Sequence, residues 1–280
     1  LDWVIANKDK TDIKLKIIYY SLEITKDIKI TKAICRKIYM DTGKLLDVNY
    51  ILSRGKNRIE QEDYDLVMST KDHFYELEDH ITIIDKNENP TGVFHDMITH
   101  SKENGIWTEE NKQGTYTPND PNLYTIIIID HCSLLKKERG FNVKDNIDKL
   151  SEYLVILRNK CNYIPVVISQ FNRTISSSDR FKLEMVEPQL SDFKNSSNTQ
   201  DDANIILALF SPKRYDMEKY KGYDIIKLKD RFRAMHLLKN RDGEADKFIG
   251  LDFVGQVGHF SELPTLEEFK NNSGLYSKYR

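Results

Sequence analysis

The chain has 280 residues, of which 39% are hydrophobic and 31% charged, and its formal net charge is −2. This composition is typical of a single globular α/β domain with enough apolar mass for a core. No apolar run approaches the roughly 18 residues that a membrane helix needs, and no signal peptide is visible. The charge also argues against a nucleic-acid binder that is basic over its whole surface.

The first part of the chain alternates strand and helix patterns. The predicted elements are strands at 14–22 and 81–84 and helices at 27–42, 60–79 and 90–103. The second strand ends at Asp85, and the last helix opens with Pro90, a residue favoured in the first turn. Residues 104–122 carry Gly, Pro, Asn and Thr with few apolar side chains, and we interpret them as a long inserted loop.

The most informative stretch is Tyr124–Leu135, in which an aliphatic run leads directly into Asp130. A continuous apolar run predicts a strand buried on both faces of a parallel sheet. An Asp at the carboxyl end of such a strand lies where open α/β sheets bind ligands. In the Walker B arrangement this carboxylate holds Mg²⁺ through water. The alternative is a buried strand whose Asp caps the following helix, and the stretch alone leaves both open.

The next two segments favour a nucleotide-binding sheet. Residues 144–161 place apolar side chains at spacings of three and four, which predicts an amphipathic helix. Ile164–Gln170 then reads as a second buried strand. Strand, helix and strand with short joints form a right-handed βαβ unit. Such a unit brings Asp130 and Gln170 to one edge of the sheet, where a nucleotide phosphate would lie.

The remaining chain is predicted to complete this sheet. Strand patterns occur at 205–210, 234–238 and 248–254, and Asp242-Gly243 between the last two is a hairpin signal that predicts antiparallel neighbours. Residues 264–280 are interpreted as a polar tail. The three cysteines, Cys35, Cys132 and Cys161, form no CxxC pair, which is typical of reduced, buried thiols in a cytosolic protein.

The motifs, taken in order, resemble the DnaB-type replicative helicases, which are hexameric motors on the RecA fold. The core of the resemblance is IIIIDHCSLL, a helix and IPVVISQFNR, and it extends over residues 14–263, most weakly between 41 and 120. The other matching segments are YYSLE at 19–23, LSDFKNSS at 190–197, QDDAN at 200–204 and KNRDG at 239–243. The resemblance implies an α/β, RecA-like P-loop NTPase core in a single motor domain. Its mostly parallel sheet is flanked by helices, with antiparallel strands at the C-terminal edge.

The resemblance also implies ATP and Mg²⁺ as cofactors and assigns roles at three strand ends. Asp130 would hold the metal through water, Glu23 would orient or deprotonate the attacking water, and Gln170 would sense the γ-phosphate. The residues by themselves leave simpler roles open. Glu23 is placed to cap a helix near Thr25, and Gln170 is a polar residue at a strand end.

Two cations near the C-terminal hairpin complete the implied catalytic set. Lys239 and Arg241 are two residues apart, so on a strand both would point to one face. In the resembled family such a pair reaches the γ-phosphate of the neighbouring subunit, as an arginine finger and its partner. The alternative is plain surface.

Contact with single-stranded DNA is implied for the loop 192–197 and for Arg173. Small residues would expose backbone N–H groups to phosphates, and Lys194 adds positive charge. The loop departs from the family pattern because Lys194 replaces Arg, Asn195 replaces Glu and Ser197 replaces Gly. Loss of that Gly restricts positive φ.

Three further segments bear on DNA. The polar residues 172–188 lead into the channel of the resembled family and are expected to be disordered without DNA. The basic clusters at 213–214 and 227–233 are either channel surface or ordinary solvated surface.

The motif that such motors need first, GxxxxGK[ST], is absent from the 280 residues. The simplest account is that an upstream segment is missing. The implied function is an ATP-driven helicase motor on single-stranded DNA, assembled as a hexameric ring with a helicase loader or primase as partner. The expected location is the cytoplasm of a bacterial or phage-infected cell, and the Lys-, Asn- and Ile-rich composition fits a phage origin. The alternatives are a nucleotide-binding-deficient structural or loading partner and a RecA-like recombinase.

Overall fold

A computed structural model describes residues 4, 7, 9–56, 58–110, 113–172, 175, 186–193 and 197–279. Contacts between residues divide the chain into two compact units. The first comprises Leu1–Lys29, Ser69–Gln170 and Lys194–Asp202, and the second comprises Ile30–Met68, Phe171–Phe193 and Ala203–Arg280. The interpretation of all 280 residues as one motor domain stays a prediction.

The helices and strands are numbered in chain order. The strands are β1 Lys14–Ser21, β2 Ile81–Ile84, β3 Gly105–Glu110, β4 Gln113–Pro118, β5 Leu123–Asp130, β6 Ile164–Val167, β7 Ile205–Phe210, β8 Lys219–Tyr220, β9 Tyr223–Asp224, β10 Phe232–Asn240, β11 Lys247–Val254 and β12 His259–Glu262. The helices are α1 Lys26–Thr42, α2 Val48–Ile51, α3 Gln61–Ser69, α4 Lys71–Glu78, α5 Pro90–Asn104, α6 Val143–Cys161, α7 Ser197–Asp202, α8 Ile225–Leu228 and α9 Leu266–Asn271. The predicted helical region 60–79 is therefore two helices, which are separated at Thr70.

The first unit is built on a four-stranded parallel sheet with the order β2-β1-β5-β6. On β5, Thr125, Ile127 and Ile129 are buried, while the alternating residues are half-buried. The fully buried face packs with leucines of α6 in one core. The expectation of a strand buried on both faces is thus met in full on one face only. Pro165 lies in β6, an edge strand of this sheet, where a missing N–H is tolerated.

Helix α6 has clear start and stop signals. Asn142 and Asp145 form a reciprocal capping box at its N-terminus, which satisfies two backbone N–H groups. Asn162 ends the helix in the left-handed conformation at φ 56°. The apolar stripe between them is buried and includes Leu150, Leu154 and Leu157. The βαβ connection from β5 through α6 to β6 is confirmed.

The interpretation of residues 104–122 as a loop is wrong. Strands β3 and β4 pair as an antiparallel hairpin from Gly105↔Pro118 to Glu110↔Gln113. Trp107 and Tyr116 contact each other across it, with ring centroids 5.5 Å apart, and both pack against the core of the first unit. The indole N–H of Trp107 donates to Ser101 Oγ at 2.8 Å. A single cross-strand aromatic pair supplies packing that the turn-rich composition hid.

The second unit is built on its own antiparallel sheet, with the order β12-β11-β10-β7. The antiparallel pairing of β10 with β11 confirms the hairpin predicted from Asp242-Gly243. The expectation that these strands complete the first sheet is wrong for the described residues, since no strand of one sheet pairs with a strand of the other. The core of the unit is rich in aromatic side chains, which pack with aliphatic ones. Its fully buried members include Ile225, Leu228 and Phe232.

The C-terminal segment is more than a polar tail. Helix α9 begins at a capping box between Thr265 and Glu268. Phe269 and Tyr276 are buried in the core of the second unit and stack on each other with centroids 4.2 Å apart. Two aromatic side chains seven positions apart therefore anchor a segment whose other residues are mostly polar.

Two sequence predictions, one on the state of the cysteines and one on membrane-spanning helices, can be compared with the described residues. Cys35, Cys132 and Cys161 are all buried and free. None of the helices described within residues 4–279 combines the length and the apolar character needed to cross a bilayer.

Candidate functional site

Three strand ends meet at the carboxyl edge of the parallel sheet. Ser21 at the end of β1 pairs with Asp130 at the end of β5, and the next N–H, of Leu22, donates to the carbonyl of Asp130 at 2.8 Å. The N–H of Cys132 donates to the carbonyl of Ile168 after β6 at 3.1 Å. These backbone bonds place the segments that carry Glu23, Asp130 and Gln170 at one edge of the first unit.

Asp130 has two side-chain partners that the sequence did not predict. Its Oδ2 accepts a hydrogen bond from the hydroxyl of Tyr19 and forms an ion pair with Lys29 Nζ at 2.9 Å. Lys29 Nζ also donates to the Tyr19 hydroxyl at 2.8 Å and lies 4.6 Å from the centroid of the Tyr19 ring. The three side chains thus form a closed cluster in which each contacts the other two.

The backbone explains why these residues meet. Tyr19 pairs with Ile128, so it lies diagonal to Asp130 on the same face of the sheet. Asp85, which follows β2, accepts the N–H of Lys26 at 2.9 Å and thereby holds the first residue of α1 at the sheet edge. Lys29, one helical turn further, then reaches Asp130.

The cluster shifts the ionisation of all three groups. Burial by itself raises the pKa of Asp130, but the hydrogen bonds from Tyr19 and Lys29 and the charge of Lys29 outweigh it, so the pKa lies below its ordinary value. Burial lowers the pKa of Lys29, but its bonds to Tyr19 and Asp130 leave it above its ordinary value. Burial and the bond to Asp130 raise the pKa of Tyr19. The ion pair is therefore charged across the neutral pH range.

The other two predicted catalytic residues of this edge are exposed. Glu23 has no hydrogen bond or ion pair among the described residues. Gln170 places its Nε2 3.4 Å from Nε2 of His131, which is buried next to Asp130. The second ring nitrogen of His131, Nδ1, is buried without a partner in the described part of the chain. Gln170 thus lies beside the side chain of the residue that follows Asp130.

The donor set at this edge suits magnesium in one respect. Mg²⁺ is commonly bound through one or two carboxylates, waters and substrate phosphates. Asp130 offers Oδ1, because both of its described side-chain bonds go to Oδ2. No group of three or more His, Cys, Asp and Glu side chains able to hold a metal occurs among the described residues. The fit is therefore to a metal that arrives with phosphate ligands, not to a metal held by protein alone.

Lys239 and Arg241 belong to the second unit. Strand β10 ends at Asn240, so Lys239 lies on the strand and Arg241 is the first residue after it. Arg241 is exposed; its N–H donates to the carbonyl of Asn204 at 2.8 Å and its guanidinium to the Asn204 side chain at 3.1 Å. Because Arg241 lies beyond the end of the strand, strand periodicity does not place it on the same face as Lys239. The implied roles of both residues stay predictions. In the basic cluster 227–233, Arg231 is held by Asp252 through two bonds of 2.8 and 2.5 Å.

Most of the predicted DNA-binding residues lie outside the described residues, namely Arg173, Lys194 and Asn195. Most of 172–188 lies there too, so the expected disorder stays a prediction. Ser197 is the first residue of α7. Asp192 is buried and accepts the N–H of Gln189 at 2.8 Å, so its carboxylate stabilises the turn.

Helix α7 is attached to α6 in the first unit. Ser151 Oγ donates to Asp202 Oδ2 at 2.6 Å, and the Arg158 guanidinium donates to the Asp202 carbonyl at 2.7 Å. These bonds fix the C-terminal end of α7, the helix that follows the predicted DNA loop.

Sequence reasoning missed Tyr19 and Lys29, although one signal was present. A Lys in the first turns of a helix opposes the helix dipole and is unfavourable unless an anion lies nearby. Lys29 occupies such a position in α1, a few residues after the YYSLE segment. The contact itself depends on strand register and on where α1 begins, neither of which periodicity determines.

A parallel sheet with an acidic strand end, flanked by helices in a chain that also has an antiparallel sheet, defines an α/β fold with a RecA-like core. The chain belongs to the DnaB-like helicase C-terminal domain family, whose model matches residues 2–262.

Solved structures share this fold. One is a DnaB-like replicative helicase, described together with its interactions with primase. It has a TM-score of 0.66 and 18% sequence identity, over 89% of this chain and 52% of that one. A second is described as an ATPase domain, with a TM-score of 0.64 and 18% identity over 89% of this chain and 75% of that one. The chain therefore spans about half the length of the first. No curated protein sequence matches it.

Proposed function

We propose that the chain is the motor domain of an ATP-driven replicative helicase that moves on single-stranded DNA. The observation that carries this proposal is the position of Asp130 at the carboxyl end of β5, with the segments bearing Glu23 and Gln170 beside it. Open α/β sheets bind ligands at this edge. Membership of the DnaB-like helicase C-terminal domain family supports a nucleoside triphosphate as that ligand.

Each residue of this edge has a role that its position supports. Magnesium, when bound with the nucleotide, neutralises charge on the phosphates. Asp130 would hold that ion, and its lowered pKa keeps the carboxylate charged at neutral pH. Glu23 is exposed and has no described partner, so it is available to orient the attacking water. Gln170 hydrogen-bonds to the γ-phosphate, and its movement on hydrolysis shifts the segment that follows β6.

Assembly and DNA binding complete the proposal. Lys239 and Arg241 would contact the nucleotide of a neighbouring subunit in a hexameric ring, which makes hydrolysis depend on assembly. The segment from the end of β6 to the first residue of α7 would follow the DNA backbone in the channel, with contacts from Arg173, Lys194, Asn195 and Ser197. One structurally similar helicase is described with primase, and we propose a primase or a loader as partner here too.

The first test measures hydrolysis of ATP with and without single-stranded DNA. Because the 280 residues contain no GxxxxGK[ST] motif, the assay uses the product of the whole gene that encodes the chain. We expect Glu23→Gln and Asp130→Asn each to lower kcat by at least about 100-fold, typical for loss of a group that acts on the water or the metal. Nucleotide binding should change little, because neither residue contacts the adenosine.

The matched control is Asp120→Asn, which makes the same chemical change at the opposite edge of the same sheet, where Asp120 pairs with Lys14. It should keep normal turnover. Unchanged turnover in Glu23→Gln or Asp130→Asn would remove that residue from the mechanism. A gene product that binds no ATP would favour the alternative of a nucleotide-binding-deficient partner.

A mixing experiment tests the role of Arg241 across subunits. Loss of an arginine finger typically lowers the rate by about 10³-fold or more. Arg241→Ala subunits keep Glu23, and Glu23→Gln subunits keep Arg241, so some interfaces in a mixed ring pair two intact residues. We expect activity to reappear on mixing two inactive variants. If no mixture recovers activity, Arg241 does not act in trans.

A further inference from the structure

We propose that Lys29 makes metal binding at Asp130 depend on bound nucleotide. The Lys29 ammonium group stays paired with the Asp130 carboxylate until a nucleotide phosphate binds both Lys29 and the metal. The inference rests on the proposed function, in which Asp130 serves a magnesium ion, and it adds a residue that no motif assigned to the site.

The geometry of the cluster is that of a built ion pair. Lys29 and Asp130 keep only 24% and 19% of their side-chain surface exposed, and their atoms approach to 2.9 Å. Tyr19 bonds to both, so the hydroxyl fixes the ammonium and the carboxylate in one arrangement. The N–H bond from Lys26 to Asp85 anchors the helix that carries Lys29. A mobile surface lysine has none of these constraints.

Charge decides what the cluster accepts. The carboxylate and the ammonium together carry no net charge, so a free divalent cation meets little attraction there and is repelled by the ammonium. A metal that arrives with a nucleotide brings phosphate charges that offset the ammonium. Lys29 Nζ has three donors, and its described bonds use two of them, which leaves one for a phosphate oxygen. The site therefore favours the metal–nucleotide complex over the free ion.

A purely structural role for the ion pair makes a different prediction. An ion pair that only holds α1 against the sheet affects stability when it is removed, and the loss of its charge changes the metal affinity of Asp130 equally with and without nucleotide. A change in Mn²⁺ affinity that bound nucleotide removes thus separates the two roles, and its measurement requires no turnover.

The experiment measures binding of Mn²⁺, a paramagnetic substitute for Mg²⁺, to the full-length protein by electron paramagnetic resonance without nucleotide. Lys29→Met removes the ammonium and should raise the affinity about tenfold, as expected for a divalent ion relieved of a neighbouring like charge in a solvent-screened site. Lys29→Arg keeps the charge and should resemble the wild type. Lys26→Met is the matched control, because Lys26 is an exposed lysine of the same helix turn whose described bond is made by its backbone.

Addition of a non-hydrolysable ATP analogue should reduce the difference between wild type and Lys29→Met to less than about threefold, because phosphate then offsets the ammonium. Should Lys29→Met fail to fold, Lys29→Gln keeps a donor for Asp130 and has the same expected result. Equal Mn²⁺ affinity of the wild type and the neutral variants, a difference that the ATP analogue leaves unchanged, or no binding by any of them would overturn the proposal.

One more variant separates this inference from the proposed function. Asp130→Asn should abolish the added Mn²⁺ binding in the Lys29→Met background. If Asp130→Asn weakens Mn²⁺ binding while Lys29→Met leaves it unchanged, the metal role of Asp130 stands and the role of Lys29 fails. If Mn²⁺ binding is the same with and without the Asp130 carboxylate, both fail.

Discussion

The attachment of α7 to α6 leads to a quantitative prediction about the predicted DNA loop. Ser151 is buried, and its hydroxyl donates to the half-buried carboxylate of Asp202 at 2.6 Å, a distance typical of a charge-assisted bond. Such bonds contribute about 1.5–3 kcal/mol, and solvent around Asp202 reduces this to roughly 1–2 kcal/mol. The bond from Arg158 to the Asp202 carbonyl survives side-chain substitution, so the segment should stay in place but with lower stability.

A double-mutant cycle with Ser151→Ala and Asp202→Ala isolates this bond. We expect a coupling free energy of about 1–2 kcal/mol in urea-induced unfolding, because the double variant loses one interaction that each single variant has already lost. Each single variant should also bind single-stranded DNA more weakly, since α7 begins at Ser197, at the end of the predicted loop. A coupling below about 0.5 kcal/mol would refute the reasoning, because the effects of independent, distant sites add to within about that margin.

Three further predictions concern packing and ionisation. Leu228→Ala removes a fully buried side chain and should lower the free energy of unfolding, measured in urea, by about 2–5 kcal/mol. Leu207→Ala, at a position that is 56% exposed, should lower it by less than about 1 kcal/mol. Similar losses in the two variants would show that the exposed face of β7 is covered in solution. Burial lowers the pKa of His236, so the folded state binds fewer protons than the unfolded state. Tm should therefore fall as the pH drops from 7.5 to 5.5 through the ordinary histidine pKa. The His236→Gln variant should lose part of this pH dependence of Tm, and an unchanged slope of Tm against pH would contradict the prediction. Ser101→Ala strands the indole N–H of Trp107 and should cost about 1–2 kcal/mol, measured by tryptophan fluorescence during unfolding; a neutral effect would mean that water replaces the hydroxyl.

The carboxyl edge of the parallel sheet could be predicted from the sequence better than the rest of the fold. Strand β5 and the position of Asp130 follow from an uninterrupted aliphatic run, and α6 follows from its apolar stripe and its Asn caps. Both signals are local and strong. The position of Lys29 beside Asp130 is not local. It depends on the pairing of β1 with β5, which brings Tyr19 next to Asp130, 111 positions further along the chain, and on a helix start fixed by Asp85.

The elements that sequence reasoning missed depend on sparse aromatic contacts. The hairpin at 105–118 has turn-rich composition, and its packing rests on Trp107 and Tyr116. The C-terminal segment is mostly polar, and its packing rests on Phe269 and Tyr276. A pair of side chains leaves no periodic pattern, so such segments resemble loops or tails until their partners are known. The division into two sheets was likewise hidden, because the strands of both have similar apolar patterns.

The measurement that tests the central claim most directly is strand displacement from a forked DNA duplex by the product of the whole gene. We expect unwinding that requires ATP and magnesium and that is lost in Asp130→Asn but kept in Asp120→Asn, since only the first carboxylate lies at the proposed catalytic edge. ATP-dependent unwinding that persists without the Asp130 carboxylate would contradict the assignment of the catalytic edge. A wild-type protein that hydrolyses ATP on single-stranded DNA yet never separates the strands would contradict the assignment as a helicase motor.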